Sequence, residues 1–302
     1  VLGDGNIANA TYSLSGTGVL SVSGEETIAS RGTGSFIQSG GAHSAISLNI
    51  ATLAGSQGSL SLMGGYIQIQ SDIKIGGTGA PIVQNQGGTG AFCIGGTGQL
   101  SVGTDIALYP TSTLNICGGN VSTPTLYLLG TLTQSGGNAV FSHLADSAGS
   151  GVATITGGRT TLTLGGSADT LGALNISGAG TLDLQIGGYA QGVNYDLLSL
   201  DHSSSLGGTL EIDWVNGFLP QLGDHFMVMT DAAQFVGGFD QFTSNTALFA
   251  FSVDYGTNSN VVRVTVIPLP EPGSLGVLIG GEMLLFCRRR RKNLSPRLGL
   301  AR

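Results

Sequence analysis

Along most of the chain, apolar residues alternate with small polar ones in short runs: VLSV at 19–22, LSL at 60–62, IQI at 67–69 and LTL at 162–164. Side chains in a strand point alternately to opposite faces, so this period of two predicts strands with one buried face. Between the runs stand Gly-Gly and Gly-x-Gly elements, which supply the positive φ that a sharp corner needs. Helix is disfavoured throughout 1–266, because no capped segment of period 3.6 survives such a density of glycine.

The runs repeat. Gly-Thr-Gly occurs at 16–18, 32–34, 77–79, 88–90 and 96–98. Residues 13–34 align with 60–79 at an offset of about 46, placing Gly18 on Gly65, Leu20 on Ile67, Val22 on Ile69 and Ile28 on Ile75. GGAHSAISLNI at 40–50 aligns with GGNVSTPTLYL at 118–128, and FIQSGG at 36–41 with LTQSGG at 132–137. Short strands with glycine corners, stacked at some 16 to 24 residues per repeat, predict the rungs of a solenoid, since one rung cannot bury its own apolar face. The expected fold class is all-β: a right-handed parallel β-solenoid (β-helix) over 1–176, with a β-sandwich as the competing architecture.

Residues 177–267 differ. They lack Gly-Thr-Gly and gather Trp214, Phe218, Phe226, Phe235, Phe239, Phe242, Phe249 and Phe251. Longer strands are predicted at Leu182 to Ile186, Thr209 to Trp214, His225 to Met229 and Val261 to Val266. A C-terminal β capping module follows physically, because the open end of a stack exposes strand edges and apolar side chains.

Composition sharpens this. Glycine supplies 52 of 302 residues and charged residues only 10%, against about 7% and about 25% in ordinary soluble proteins. With 41% hydrophobic residues the chain has enough apolar surface to collapse. The net charge of −7 conceals a split: residues 1–270 carry a balance of −12, residues 271–302 one of +5. An acidic body is a poor nucleic-acid binder, because phosphate contacts need clustered Lys and Arg.

That basic cluster sits beside an apolar run. Residues 268–292 read PLPEPGSLGVLIGGEMLLFCRRRRK: Pro270, Glu271 and Pro272, then an apolar segment from Gly273 to Cys287, then Arg288, Arg289, Arg290, Arg291 and Lys292. Prolines 268, 270 and 272 remove ladder donors and bar a helix before Gly273, which isolates the segment from the body. The 15 residues from Gly273 to Cys287 would make a short transmembrane helix of about 22 Å, less than a hydrocarbon core of about 30 Å. Glu282 weakens permanent spanning further, and the positive-inside rule keeps the basic stop and the cytoplasmic tail at 293–302 on the inner side.

This order of elements resembles the PEP-CTERM sorting signal, and the Gly-rich body resembles the autotransporter-like repeats that precede such tags. The resemblance implies export across the inner membrane of a Gram-negative, biofilm- or exopolysaccharide-producing bacterium. It implies processing by an exosortase-type membrane enzyme, transient residence in the inner membrane, then the cell surface or extracellular matrix. Glu282 and the ten residues after the basic stop depart from the family pattern and bear on how efficiently the tail is processed.

Catalytic chemistry in a solenoid needs clustered carboxylates with Lys or Arg, and the sequence presents no such local cluster. Glu25 and Glu26 are expected on opposite faces of a solvated corner, and Asp213 and Asp224 on the solvent face and in a turn. Trp214 suggests a polysaccharide patch. His43, His143, His202 and His225 stand apart, so neither a metal site nor a cofactor is expected. Cys93 and Cys117, aligned on their Gly-Gly pairs, are expected on opposite sides of their strands as small buried thiols that form no disulfide. Two functions remain: an exported structural or interaction protein, not an enzyme, whose polar faces meet exopolysaccharide; or a solenoid polysaccharide lyase or hydrolase with the same address.

Overall fold

The computed structural model describes residues 1–79, 87–165 and 169–269. Those residues are all-β, with strands and turns and no helix. Most strands belong to one 18-stranded sheet whose pairings are parallel, and five more form a second sheet. Parallel partners cannot be joined by a tight hairpin, so each strand must find its partner one full circuit of chain later.

Three ladders run through the large sheet in chain order. The first joins Asn9–Leu14, Thr33–Ala45, Gln57–Ile69, Thr89–Ile94, Thr113–Leu128, Thr131–Ala145, Val152–Leu162 and Ala173–Ile186. The second starts at Val19–Ser21 and passes through the later halves of the long strands to Thr209–Trp214 and Gln241–Ser244. The third takes Glu25–Ile28, Ser47–Ile50, Asp72–Ile75 and Asp105–Leu108 onto the end of Thr113–Leu128.

Register gives the length of each circuit. Asn9 lies opposite Thr33, Thr33 opposite Gln57 and Gln57 opposite Thr89, steps of 24, 24 and 32 residues. Later steps shorten to 18 between Thr113 and Thr131 and lengthen to 31 between Ser205 and Val236. The expected spacing of 16 to 24 therefore misses the longer circuits, whose extra residues fall between strands. The internal sequence matches coincide with this register: Ile28, Ile50 and Ile75 are consecutive partners, and Gln38 and Gln134 occupy one column four steps apart.

Alternation sorts the two faces. Phe36, Leu60, Phe92, Leu114 and Leu132 follow one another in one inner column, and Leu48, Ile73, Ile106 and Leu126 in another, all essentially inaccessible to water. Burying each such side chain is worth about 1.5–3 kcal/mol. At the first corner the chain turns through a glycine with positive φ in successive circuits, as at Gly119, Gly137 and Gly158. A Cβ on Gly137 would stand 2.5 Å from the Gly119 carbonyl oxygen, so no larger residue fits the spacing of the ladders there.

Two glutamines break the apolar column at that corner. Gln38 and Gln134 are fully buried. Nε2 of Gln134 donates to the carbonyls of Arg159 at 3.0 Å and Gly137 at 3.2 Å, and its Oε1 accepts from the Thr160 hydroxyl. Nε2 of Gln38 donates to the carbonyls of Gly41 and Tyr66, each at 3.2 Å. The recurring Gln-Ser-Gly-Gly is thus a corner whose carbonyls are tied from inside.

The third ladder changes hands after Thr131–Ala145. There the Leu144 N–H donates to Asp169 Oδ1 at 2.8 Å in place of a backbone partner. The second sheet begins at this point, with Asp169–Leu171, Leu198–Leu200 and His225–Asp231 in parallel. It ends with Val261–Ile267 antiparallel to His225–Asp231 and to Ala250–Asp254. The strand Ala173–Ile186 runs across residues 176 and 177, with a register shift against Val152–Leu162 between Ile176 and Ala179, while Trp214, Phe218, Phe226 and Phe249 pack ring against ring.

Candidate functional site: carboxylates gathered around Arg159

The second ladder brings charged residues together on its outer face. Thr161, Asp183 and Glu211 lie directly opposite one another on Val152–Leu162, Ala173–Ile186 and Thr209–Trp214, and Asp213 follows Glu211 by two residues on the same face. Arg159 reaches across from the first of these strands. Its Nη1 is 2.6 Å from Glu211 Oε2, and its Nη2 is 2.8 Å from Asp183 Oδ2 and 3.2 Å from Asp213 Oδ2.

Three carboxylates thus share one guanidinium, which leaves surplus negative charge. Asp183 is buried, and that burial pushes its carboxyl above the usual range, with Asp213 adding to the rise and Thr161 and Arg159 opposing it. Burial likewise raises Asp213, against the pull of Arg159. Oδ1 of Asp183 and Oδ1 of Asp213 are buried with no hydrogen-bond partner among the described residues. Chemically, the group combines surplus carboxylate charge with a buried carboxyl that keeps its proton to higher pH than usual. The expectation that no Asp/Glu cluster with Arg exists is overturned: contacts separated by 24, 52 and 54 residues in the chain become neighbours across adjacent strands. A groove of about 440 Å³ is lined by Gly178, Ala179, Gly208, Thr209, Asp240 and Gln241, none of them a member of the cluster.

A second outward groove, of about 380 Å³, lies on the third ladder and includes Glu25, Thr27, Asn49, Thr52 and Lys74. Lys74 Nζ is 2.9 Å from Asp72 Oδ2. Burial works to raise Asp72, but its bonds to Lys74 and Ser71 bring it below the usual range, whereas Asp105, directly opposite, is raised by burial and by Asp72.

Several sequence expectations are corrected. Glu26 does not sit on a solvated corner: it falls in the inner column with Leu48, and its Oε2 is 2.6 Å from Nε2 of the buried His43. Trp214 offers no sugar-stacking platform, because its ring is covered by Phe218, Phe226 and Phe249 and its Nε1 donates to Ser244 Oγ at 3.0 Å. Cys93 and Cys117 are not buried on opposite sides: both reach the outer face, with their sulfurs 3.9 Å apart. Thr89–Ile94 is followed by a corner at 95–98, one residue longer than its counterpart at 117–119 beyond Ile116, so alignment on the Gly-Gly pairs slips the register by one.

Other aspartates serve the backbone. Asp146 Oδ2 accepts from the N–H groups of Gly151 and Gly172, and Asp231 from those of Ser204 and Ala233. Among the described residues no group of three or more His, Cys, Asp or Glu is arranged to hold a metal, and no helix is long and apolar enough to cross a membrane. Pro270, Glu271, Pro272, the apolar segment and Arg288 to Lys292 lie outside the described residues. No protein-family model matches the chain, and no curated protein matches it either.

Proposed function

We propose that this chain is an exported surface or extracellular-matrix protein, built as a right-handed parallel β-solenoid, closed by a β module over 177–267 and addressed by the PEP-CTERM-like segment 268–292. The solenoid reading rests on one observation: the same partner order, step after step, in three parallel ladders with apolar residues inside and Ser, Thr, Asn and Gln outside. The address rests on the order of Pro270-Glu271-Pro272, apolar segment and basic stop. In this reading an exosortase-type enzyme trims the tail after transient insertion in the inner membrane, and the polar grooves meet exopolysaccharide.

Expressing the chain with and without residues 270–292 in an exosortase-bearing host tests the address. The intact chain goes first to the membrane fraction and is then shortened near Pro270, and the deletion releases a soluble body. Identical partitioning of the two overturns it.

The Arg159 cluster favours a second reading, a polysaccharide lyase or hydrolase on the same scaffold, because it supplies the carboxylates and the cation that such chemistry uses. Turnover of uronic-acid polymers by the purified protein, abolished by Asp183→Asn, would establish that reading in place of the first.

A further inference from the structure

Two sulfurs meet at one glycine, and a third lies beside one of them. Met63, Gly95 and Cys117 come one residue after Leu62, Ile94 and Ile116, which are partners in sequence, so they follow one another in a single outward column. A Cβ on Gly95 would stand 2.9 Å from Cys117 Sγ and 3.0 Å from Met63 Sδ. Both sulfurs therefore border the space that a side chain would fill, less than 6 Å from each other. Cys93, two residues before Gly95 and on the same face, brings its Sγ to 3.9 Å from that of Cys117. Met63 and Cys117 are exposed and Cys93 half-buried, so a small solute reaches all three.

We propose that Cys93, Cys117 and Met63 form a binding site for a soft monovalent cation of the copper(I) class, held by two thiolates and one thioether.

The geometry suits a metal better than a covalent bond. Metal–thiolate bonds of about 2.3 Å to sulfurs 3.9 Å apart subtend about 116° at the metal, between the tetrahedral and trigonal values. A disulfide would need the same atoms at about 2.05 Å. Thiolate and thioether donors with no imidazole or carboxylate among them select copper(I) over the harder divalent ions. Binding changes no oxidation state: each thiol gives its proton to solvent, two metal–sulfur bonds form, the thioether adds a third, and the assembled site carries one negative charge. Burial and the neighbouring Cys117 push the Cys93 thiol up, so uptake weakens as pH falls and protons compete for the sulfur.

The test uses the full chain with Cys287→Ser, which leaves Cys93 and Cys117 as its thiols. The protein is reduced with a phosphine, kept anaerobic and titrated with copper(I) against a chromogenic copper(I) chelator. One ion binds per chain, and Cys93→Ser, Cys117→Ser and Met63→Leu each weaken binding by at least about tenfold. Gly95→Ala weakens it similarly while keeping every sulfur, because the methyl occupies the shared space and Gly95 has no positive φ to strain. Circular dichroism matching the parent confirms that each variant is folded. Unchanged affinity in Gly95→Ala, or in the double Cys93→Ser/Cys117→Ser variant, overturns the proposal. So does a parent that binds no copper(I) and, in glutathione buffer, goes instead to a Cys93–Cys117 disulfide.

Discussion

Replacing Gln134 with leucine keeps the volume of an inner-column residue and removes all of its polar atoms. Gln134 has two N–H groups, spent on the Arg159 and Gly137 carbonyls at 3.0 and 3.2 Å, and a carbonyl that accepts from the buried Thr160 hydroxyl. Leucine strands the hydroxyl and withdraws two donors from a dry corner. A buried polar group left unpaired costs about 1–3 kcal/mol, and the apolar gain of the leucine returns part of it, so the net loss comes to about 2–4 kcal/mol. Gln38→Leu loses less, because Gln38 makes two such bonds and its Oε1 has no partner among the described residues to lose. Equilibrium urea unfolding of residues 1–269, followed by far-UV circular dichroism, measures both against Gln57→Leu, a change at an exposed strand position. The expected order of loss is Gln134→Leu, then Gln38→Leu, then Gln57→Leu close to zero. A Gln134→Leu protein within about 0.5 kcal/mol of the parent would refute the idea that inward glutamines tie the corners.

Asp169 is fully buried with Oδ2 unpartnered among the described residues, and burial raises its pKa from 3.8 to about 7, opposed by the Leu144 amide and assisted by Asp196. His143 Nδ1, 3.7 Å from Oδ1, is too far to replace the lost hydration. Below the unfolded value both states are protonated and nothing is lost. Between the two values the unfolded chain sheds the proton first, so stability falls as pH rises, by on the order of 4 kcal/mol once both states are ionised. Asp169→Asn therefore gains on the parent between pH 4 and 8 in urea midpoints, and a constant difference across that range contradicts the assignment. Trp214, the single tryptophan of the chain, is enclosed by three phenylalanines. Its emission is expected at short wavelength and shielded from iodide until unfolding, whereas a red, readily quenched emission from the native protein would place it in solvent.

How much of this was written in the sequence depends on the range of the contact concerned. Alternation reveals the strands because it is local, and the matches that set Ile28 on Ile75 and FIQSGG on LTQSGG reveal columns of the register because the same corner and core residues recur in them, whatever the length of chain between. The Arg159 cluster was hidden, since its members are set opposite one another by steps of 22 and 28 residues and meet only when the exact register is known. That Gln38 and Gln134 point inward is announced by no local pattern, and the recurrence of Gln-Ser-Gly-Gly was the available signal. The paired cysteines were lost to a single extra corner residue between Ile94 and Gln99, which no periodicity announces.

The proposed stacking is tested most directly by distance. Ser13, Ile37, Ser61, Cys93, Asn115, Thr133, Thr154, Asn175 and Ser205 form one outward column. With the native cysteines changed to serine, spin labels at position 13 and at 133, 175 or 205 are separated by five, seven or eight strand spacings, or about 24, 34 and 38 Å at about 4.8 Å each. Pulsed electron resonance distances that grow by one strand spacing per step are the predicted result. Distances that do not increase in that order, or that place 205 nearer to 13 than 133 is, would contradict the stack.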